Sequence, residues 1–355
     1  MVSSFLPAAA FGPGRPSKPM YGRTRSNSGV GLLPSMAFFY KPEDSPWCFA
    51  FGGLGAGGLF TNLPASPANP ILSPRPPNGF GAGPIYTSVN FNQFALTASY
   101  QITDRLSIGM GPTVTAEAIQ VNPALFAAPD PTGAFPSATN TRLYWGLGFE
   151  AGIYYKFDYG FAVGASFKSR QWMQTIEYEA ADSRGFPRTL HKHVDFPMIP
   201  SVGVSYSGLE RFLFAVDARY IDFRNTPGFG DPAGFDSAGR VTGPGWRSVF
   251  ELAAGVQYHC SDPLWVRAGY QFNGNPVPDE NAFFNAAGAS IYQHSLYLGA
   301  SYQFTPALTV SLTWGHSFHN AISGPFFAPA GAVPSSAVRI DQTSDALDLL
   351  VSVKF

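Results

Sequence analysis

Residues 53 to 58, Gly53-Leu54-Gly55-Ala56-Gly57-Gly58, spell the G-x-G-x-x-G fingerprint of dinucleotide-binding loops. In such loops the glycines let the backbone approach a pyrophosphate at a helix N-terminus, and an acidic residue about 20 positions on holds the ribose. Neither condition is met. The proline-rich run TNLPASPANPILSPRPP follows and forbids a helix, and residues 73 to 79 (SPRPPNG) hold no carboxylate. His191 and His193 have metal-ligand chemistry, but two histidines without a convergent carboxylate read as part of a solvated loop. His294 and His316 could serve a lipase only with a serine and an orienting group beside them. Cys48 and Cys260 lie far apart, without metal-ligand spacing, and read as two unpaired thiols. The residues therefore predict no enzyme, no metal site and no cofactor.

What these residues sit on is legible from composition and period. Charged residues make up 13% of the 355, about half the usual share, while aromatics reach 15% with 32 Phe. No window holds the 18 or more uninterrupted apolar residues of a membrane helix. A net charge of −1 gives no basic footprint for nucleic acid. From Leu32 onward the chain alternates strictly. In one segment Leu296, Leu298, Ala300, Tyr302 and Phe304 share a face against Ser295, Tyr297, Gly299, Ser301 and Gln303. The next repeats it, with Leu308, Val310, Leu312, Trp314 and Phe318 against Thr309, Ser311, Thr313, Gly315 and Ser317. Such alternation predicts strands with one apolar and one small polar face.

The connections alternate as well. KPEDSP, TDR, DYG, SGLER, HCSDP and TPA are short, and the segments 61–86, 121–141, 178–196, 224–244, 273–289 and 319–338 are long. Aromatics gather where strands meet the short turns, among them Tyr40, Tyr100, Phe157, Tyr206, Tyr258 and Phe304. These features predict an all-β, transmembrane antiparallel β-barrel with short periplasmic turns and long extracellular loops, in the bacterial outer membrane. Thirteen strands are readable from Leu32 on, and the even-number rule predicts 14. Residues 1–31 read as an irregular N-terminal segment, a remnant of a plug or first strand, and residues 32–355 as the barrel. MVSSFLPAAAFGPGR lacks a basic residue ahead of its apolar stretch, so no secretory signal is evident and a truncated start is expected.

The segments WCFAFGGLGAGGLFT, ALTASYQITDRLSIGMG, GLGFEAGIYYKFDYGFAVGASFKS, IPSVGVSYSG and RFLFAVDARYIDF occur in an order and spacing that resembles the outer-membrane transporters of long-chain fatty acids and aromatic hydrocarbons, the FadL-like family. The resemblance implies a fourteen-stranded barrel with an N-terminal hatch and sideways release of hydrophobic substrates into the membrane. The family's Asn-Pro-Ala hatch signature has no counterpart before Leu32, and the same letters at 122 to 124 lie in a loop.

On that frame the residues acquire expected roles. Glu117, Glu150, Lys168, Asp217, Arg219, Glu251 and Arg267 fall on lumen positions, as an ion-pair network bracing the wall or as partners of a substrate carboxylate. Leu125, Phe126, Phe135, Phe283, Phe284, Phe326 and Phe327 make the long loops apolar, which marks a capture surface or a packed mouth. Gly52, Gly53, Gly55, Gly57 and Gly58 thin the third strand of the family frame and are expected to form a lateral opening, with Gly53, Gly55, Gly57 and Leu59 on the lipid face. The C-terminal LDLLVSVKF resembles an assembly signal, so Phe355 is expected to meet the barrel assembly machinery. The expected function is passive uptake of hydrophobic small molecules by a monomer amid outer-membrane lipids. The alternatives are a general diffusion porin or an adhesive barrel that uses only its loops.

Overall fold

The computed structural model of the protein describes residues 1–7 and 18–355. Two short strands open the chain, β1 (Val2–Leu6) and β2 (Met20–Thr24). They are followed by β3 (Ser35–Tyr40), β4 (Trp47–Leu63), β5 (Ile85–Gln101), β6 (Leu106–Asn122), β7 (Tyr144–Lys156) and β8 (Phe161–Lys168). β9 (Trp172–Met173) pairs with β7 above β8, and β10 (Ile176–Ala181) with β11 (Pro187–Lys192) forms a separate hairpin. The chain continues through β12 (Ile199–Leu209), β13 (Phe212–Ile221), β14 (Val249–Ser261), β15 (Leu264–Asn273), β16 (His294–Thr305) and β17 (Leu308–Gly324). A small hairpin, β18 (Phe327–Ala328) and β19 (Gly331–Ala332), precedes β20 (Ala337–Val353).

Apart from the two small hairpins, these strands form one antiparallel sheet of 16 strands in the order β2-β1-β20-β17-β16-β15-β14-β13-β12-β8-β7-β6-β5-β4-β3, with β9 on β7. β2 and β3 lie on one descending path, and β8 and β9 on one ascending path. Sixteen strands with two such interruptions make fourteen staves, the even number expected of a bacterial barrel. Residues 25–34, between β2 and β3, run beside β4 and carry the descending path from one short strand to the other. The Asn27 amide donates to the Asn62 carbonyl at 2.7 Å and the Gly55 amide to the Pro34 carbonyl at 3.1 Å.

Within the N-terminal segment, Val2–Leu6 and Met20–Thr24 are strands of the wall. β1 pairs with β20 from Val2↔Ile340 to Phe5↔Ala337, and with β2. Five-residue strands carry too little alternation to be read, and their partner in β20 lies more than 300 residues away. Below Ile340 the same edge of β20 has no strand partner among the described residues.

The facing of side chains follows the pleat. Leu347 and Leu349 on β20 are each 70% exposed and point outward, as do Leu312 and Trp314 on β17, forming the apolar lipid-facing band. Paired rings mark its periplasmic border. Trp47 meets Tyr100, Tyr155 meets Phe157, Phe161 meets Tyr206 and Tyr302 meets Phe304, all with centroids within 5 Å. Inside, glycine, serine and threonine dominate. The buried apolar residues therefore gather at the outer mouth rather than in the barrel's middle. One cluster joins Leu63, Ile71, Leu72, Ile85, Trp246, Val277, Ile291, Ile322 and Ile340, and a second joins Phe91, Ile119, Tyr144, Ile176, Tyr178, Leu190 and Val194. The strands run further outward than their alternation suggested, β5 from Ile85 and β17 to Gly324, because these inward-folded loops cover their upper lumen faces.

Candidate functional site

Three places on this frame have the geometry of a site: the loop-covered mouth, the glycine-rich stretch of β4, and the polar lumen wall between them.

The mouth is built by loops pinned through buried polar side chains. Asn69 lies fully buried, its amide donating to the Val2 carbonyl and the Thr24 hydroxyl at 3.2 Å each, with its oxygen accepting from Ser4. This holds loop 64–84 on β1 and β2. The Trp246 indole donates to Asn285 at 2.6 Å, and the Asn285 amide donates to the Pro244 and Asn281 carbonyls, locking loop 274–293 to loop 222–248. Asp130 ties loop 123–143 to the β10–β11 hairpin. It accepts from the hydroxyls and amides of Ser183 and Thr132 and from the Ala134 amide. Those bonds, the Ser183 hydroxyl first, hold its carboxyl well below the usual carboxylate range.

Between these loops lies a cavity of about 660 Å³. Leu125, Phe135, Phe283, Phe326 and Phe327 line it, with Ile71, Ile85 and Val241. The other two apolar loop residues singled out in the sequence pack beside it. Phe126 leans on Tyr178 with centroids 5.8 Å apart, and Phe284 is buried against Phe327 at 4.7 Å. The expected capture residues are thus brought together, five as lining and two as support. A volume of this size suits one small hydrophobe.

The glycine stretch contains a bulge. β4 and β5 pair Gly55↔Asn92 and then Gly57↔Phe91, leaving Ala56 as an extra residue. This corrects the expected facing. Below the bulge the odd positions face lipid, and above it they face the lumen. Gly57 lies against Phe196 and Phe91, and Leu59 against the Gly288 loop, whereas Phe60 points outward with Tyr86. A single inserted residue reverses every face beyond it, and a run of glycines does not reveal where the insertion sits.

Beside the bulge the wall is incomplete. The bonds at Asn27 and Pro34 bracket residues 28–33, which lie outside any strand, opposite the unpaired edge of Ala56 to Thr61. Leu33 covers this window from outside. A Cβ added at Gly55 would lie 3.0 Å from the Leu33 Cδ2, and one at Gly58 3.4 Å from it. On the lumen side the window is backed by Phe91 and Phe196, with ring centroids 5.3 Å apart. Neither Leu33 nor Phe196 was marked by the sequence, since both lie in irregular stretches without a period.

The seven lumen charges do not form one network. Arg219 pairs with Glu251 at 3.3 Å. Glu150 accepts from the Thr97 hydroxyl at 2.7 Å and stands opposite Lys168 in the ladder. Arg267 donates to Gln257 and Ser301, which are neutral. Asp217 faces Gly203 across the β12–β13 pair. Glu117 stands apart, fully buried, with no hydrogen-bond partner for either carboxyl oxygen. Of the histidines, His294 meets the Tyr270 hydroxyl, His316 lies 2.9 Å from Asp345, and His193 lies 3.2 Å from Asp195. Among the described residues no three His, Cys, Asp or Glu side chains converge as metal ligands.

A 16-stranded antiparallel sheet with an apolar outer band, an aromatic border, a polar interior and a loop-covered mouth is a bacterial outer-membrane β-barrel. Residues 81–346 match the family described as Outer membrane protein transport protein (OMPP1/FadL/TodX), and the chain belongs to that family. No curated protein matches the sequence. Among solved structures the fold is similar to the Pseudomonas putida toluene transporter TodX, with a TM-score of 0.70 and 14% identity over 99% of this chain and 87% of that one. A Pseudomonas aeruginosa FadL homologue gives 0.67 and 15% over 99% and 88%. The Ralstonia pickettii toluene transporter TbuX gives 0.63 and 15% over 99% and 87%.

Proposed function

We propose that the barrel takes up hydrophobic small molecules passively, receiving them in the mouth cavity and releasing them sideways through the window beside β4. The observation that carries this reading is the pairing of two features that a water-filled pore does not need. One is an apolar cavity at the outer face, and the other is a breach in the wall that opens toward lipid. A hydrophobe gains about 25 cal/mol per Å² of apolar surface when it leaves water for such a cavity, and gains again on reaching the bilayer. The downhill direction is therefore from cavity to membrane, with no energy source needed.

Aromatic hydrocarbons fit this reading through the similarity to toluene transporters, and long-chain fatty acids through the family. Lys168 and Arg267 stand in the lumen as partners for a carboxylate, should a fatty acid reach them. The test uses proteoliposomes of the purified barrel. Uptake of a labelled hydrophobe above that of protein-free vesicles, without swelling in sugars, is the expected result. Sugar-driven swelling with no gain in hydrophobe uptake would assign the barrel to the general porins instead.

A further inference from the structure

On β5 and β6, the next strands along the wall from β4, the lumen face holds buried polar groups without partners. Glu117 on β6 is fully buried, and both its carboxyl oxygens lack a donor. Gln93 on β5, 1% exposed, donates to the Thr115 hydroxyl at 3.2 Å while its own carbonyl oxygen has no partner. The ladder places them together, since Gln93 pairs with Thr115 and Phe91 with Glu117, two residues along the same lumen face. Phe91 in turn pairs with Gly57 at the bulge. The Thr115 hydroxyl is itself committed to Gln171, so it does not serve either acceptor.

Buried acceptors without donors are rare in folded proteins because each forfeits its hydration. Here three oxygens do so within one cross-strand patch beside Phe91, the ring that backs the window. No cation among the described residues answers them. Asp195, a second carboxylate, lies within electrostatic reach of Glu117, and its own partners are the Met173 amide, Arg170 and His193. The chemistry missing from this patch is an O–H or N–H donor on an otherwise apolar body.

We propose that Glu117 and Gln93 form a hydrogen-bond-accepting selectivity site beside the wall window, which favours hydrophobes bearing one hydroxyl or amino group over hydrocarbons, and both over carboxylate anions. The inference rests on the transport reading above and narrows its substrate class. A donor that satisfies a buried acceptor recovers the loss that the empty site suffers, which corresponds to a preference of about tenfold or more over the same molecule without the donor. An anion brings no donor to the patch and faces Asp195, so it is disfavoured.

Equilibrium binding of 4-ethylphenol, ethylbenzene and 4-ethylbenzoate to the purified, folded barrel tests this. Wild type is expected to bind 4-ethylphenol at least tenfold more tightly than ethylbenzene, with 4-ethylbenzoate weakest. Glu117→Met should bring the phenol-to-hydrocarbon ratio to about one while ethylbenzene binding persists, and Gln93→Met should lower the ratio part of the way. If Glu117→Met does not fold, Gln93→Met carries the test, and an unchanged ratio there would overturn the site. Equal binding of 4-ethylphenol and ethylbenzene by wild type would overturn the selectivity site and leave the transport reading standing. Binding of none of the three would overturn the transport reading itself.

Discussion

Filling the window from its outer side should stop release without unfolding the barrel. Gly55 and Gly58 both face Leu33, and their replacement by Val places methyl groups where the Leu33 side chain now lies. At Gly55 the added Cβ also lies 3.1 Å from the Leu33 Cβ and 3.4 Å from its Cα, so the segment around Leu33, which is 57% exposed and outside any strand, must give by a few tenths of an ångström. The passage is not so easily restored. Carbon atoms in contact sit about 3.5–4.0 Å apart, so an aromatic ring between β4 and residues 28–33 needs roughly 7 Å of clear width. With Val at both positions that width is regained only if residues 28–33 move outward and break the two bracketing bonds, Asn27 to Asn62 and Gly55 to Pro34. Each is worth about 0.5–1.5 kcal/mol, so the added barrier is about 1–3 kcal/mol and uptake should fall about 5- to 150-fold. Val also suits a strand better than Gly does, so stability should hold or rise by about 1 kcal/mol. Initial rates of labelled hydrophobe uptake, with the heat-modifiable folded fraction measured in parallel, give the comparison. Gly255→Val is the control, since its Cβ would meet only the Ala268 carbonyl at 3.6 Å in a fully paired part of the wall. Undiminished uptake through Gly55→Val/Gly58→Val, or an equal loss in Gly255→Val, would refute the argument.

Three further outcomes are expected. Replacing Leu125, Phe135 and Phe326 with Ser strips the cavity lining and should weaken hydrophobe uptake about tenfold in a barrel that still folds, measured as the concentration for half-maximal uptake. Deleting Phe355, the outward terminal aromatic beyond β20, should lower the folded fraction recovered from the outer membrane while refolding in detergent is unchanged. Asp130 has a depressed folded-state pKa, so the stability it lends is present above the ordinary carboxylate value of about 3.9 and is lost as pH falls through the folded value. Proteolytic nicking of loop 123–143 should therefore stay low from pH 8 to pH 4 in wild type, and should already be high at pH 7 in Asp130→Ala.

The wall was legible because its signal is local. Each lipid-facing Leu or Phe alternates with a small lumen residue, and thirteen of the fourteen staves announced themselves this way, β16 and β17 most plainly. The β10–β11 hairpin was missed inside a long connection because, outside the membrane, its outer face carries Glu177, Glu179 and His191 and no apolar alternation of the lipid-facing kind. Only the inward Ile176, Tyr178 and Leu190 hint at it, and they need the opposing wall to make sense.

Sites made by contact between loops are harder to read than walls. Leu125, Phe135, Phe283 and Phe326 could be picked out as too apolar for water, yet that they share one cavity depends on Asp130, Asn69 and Asn285, whose hydrogen bonds cross from one loop to another. The glycines of β4 show the limit from the other direction. Composition marked the place where the wall is weak, but not the extra residue at Ala56 that turns Gly57 inward to Phe196 and Gly58 outward to Leu33. A regular strand at that place would have kept Gly57 and Leu59 facing lipid. The bulge instead turns Leu59 into the lumen and leaves the edge from Ala56 to Thr61 without a partner, so the inserted residue both opens the wall and decides which side chains a passing molecule meets.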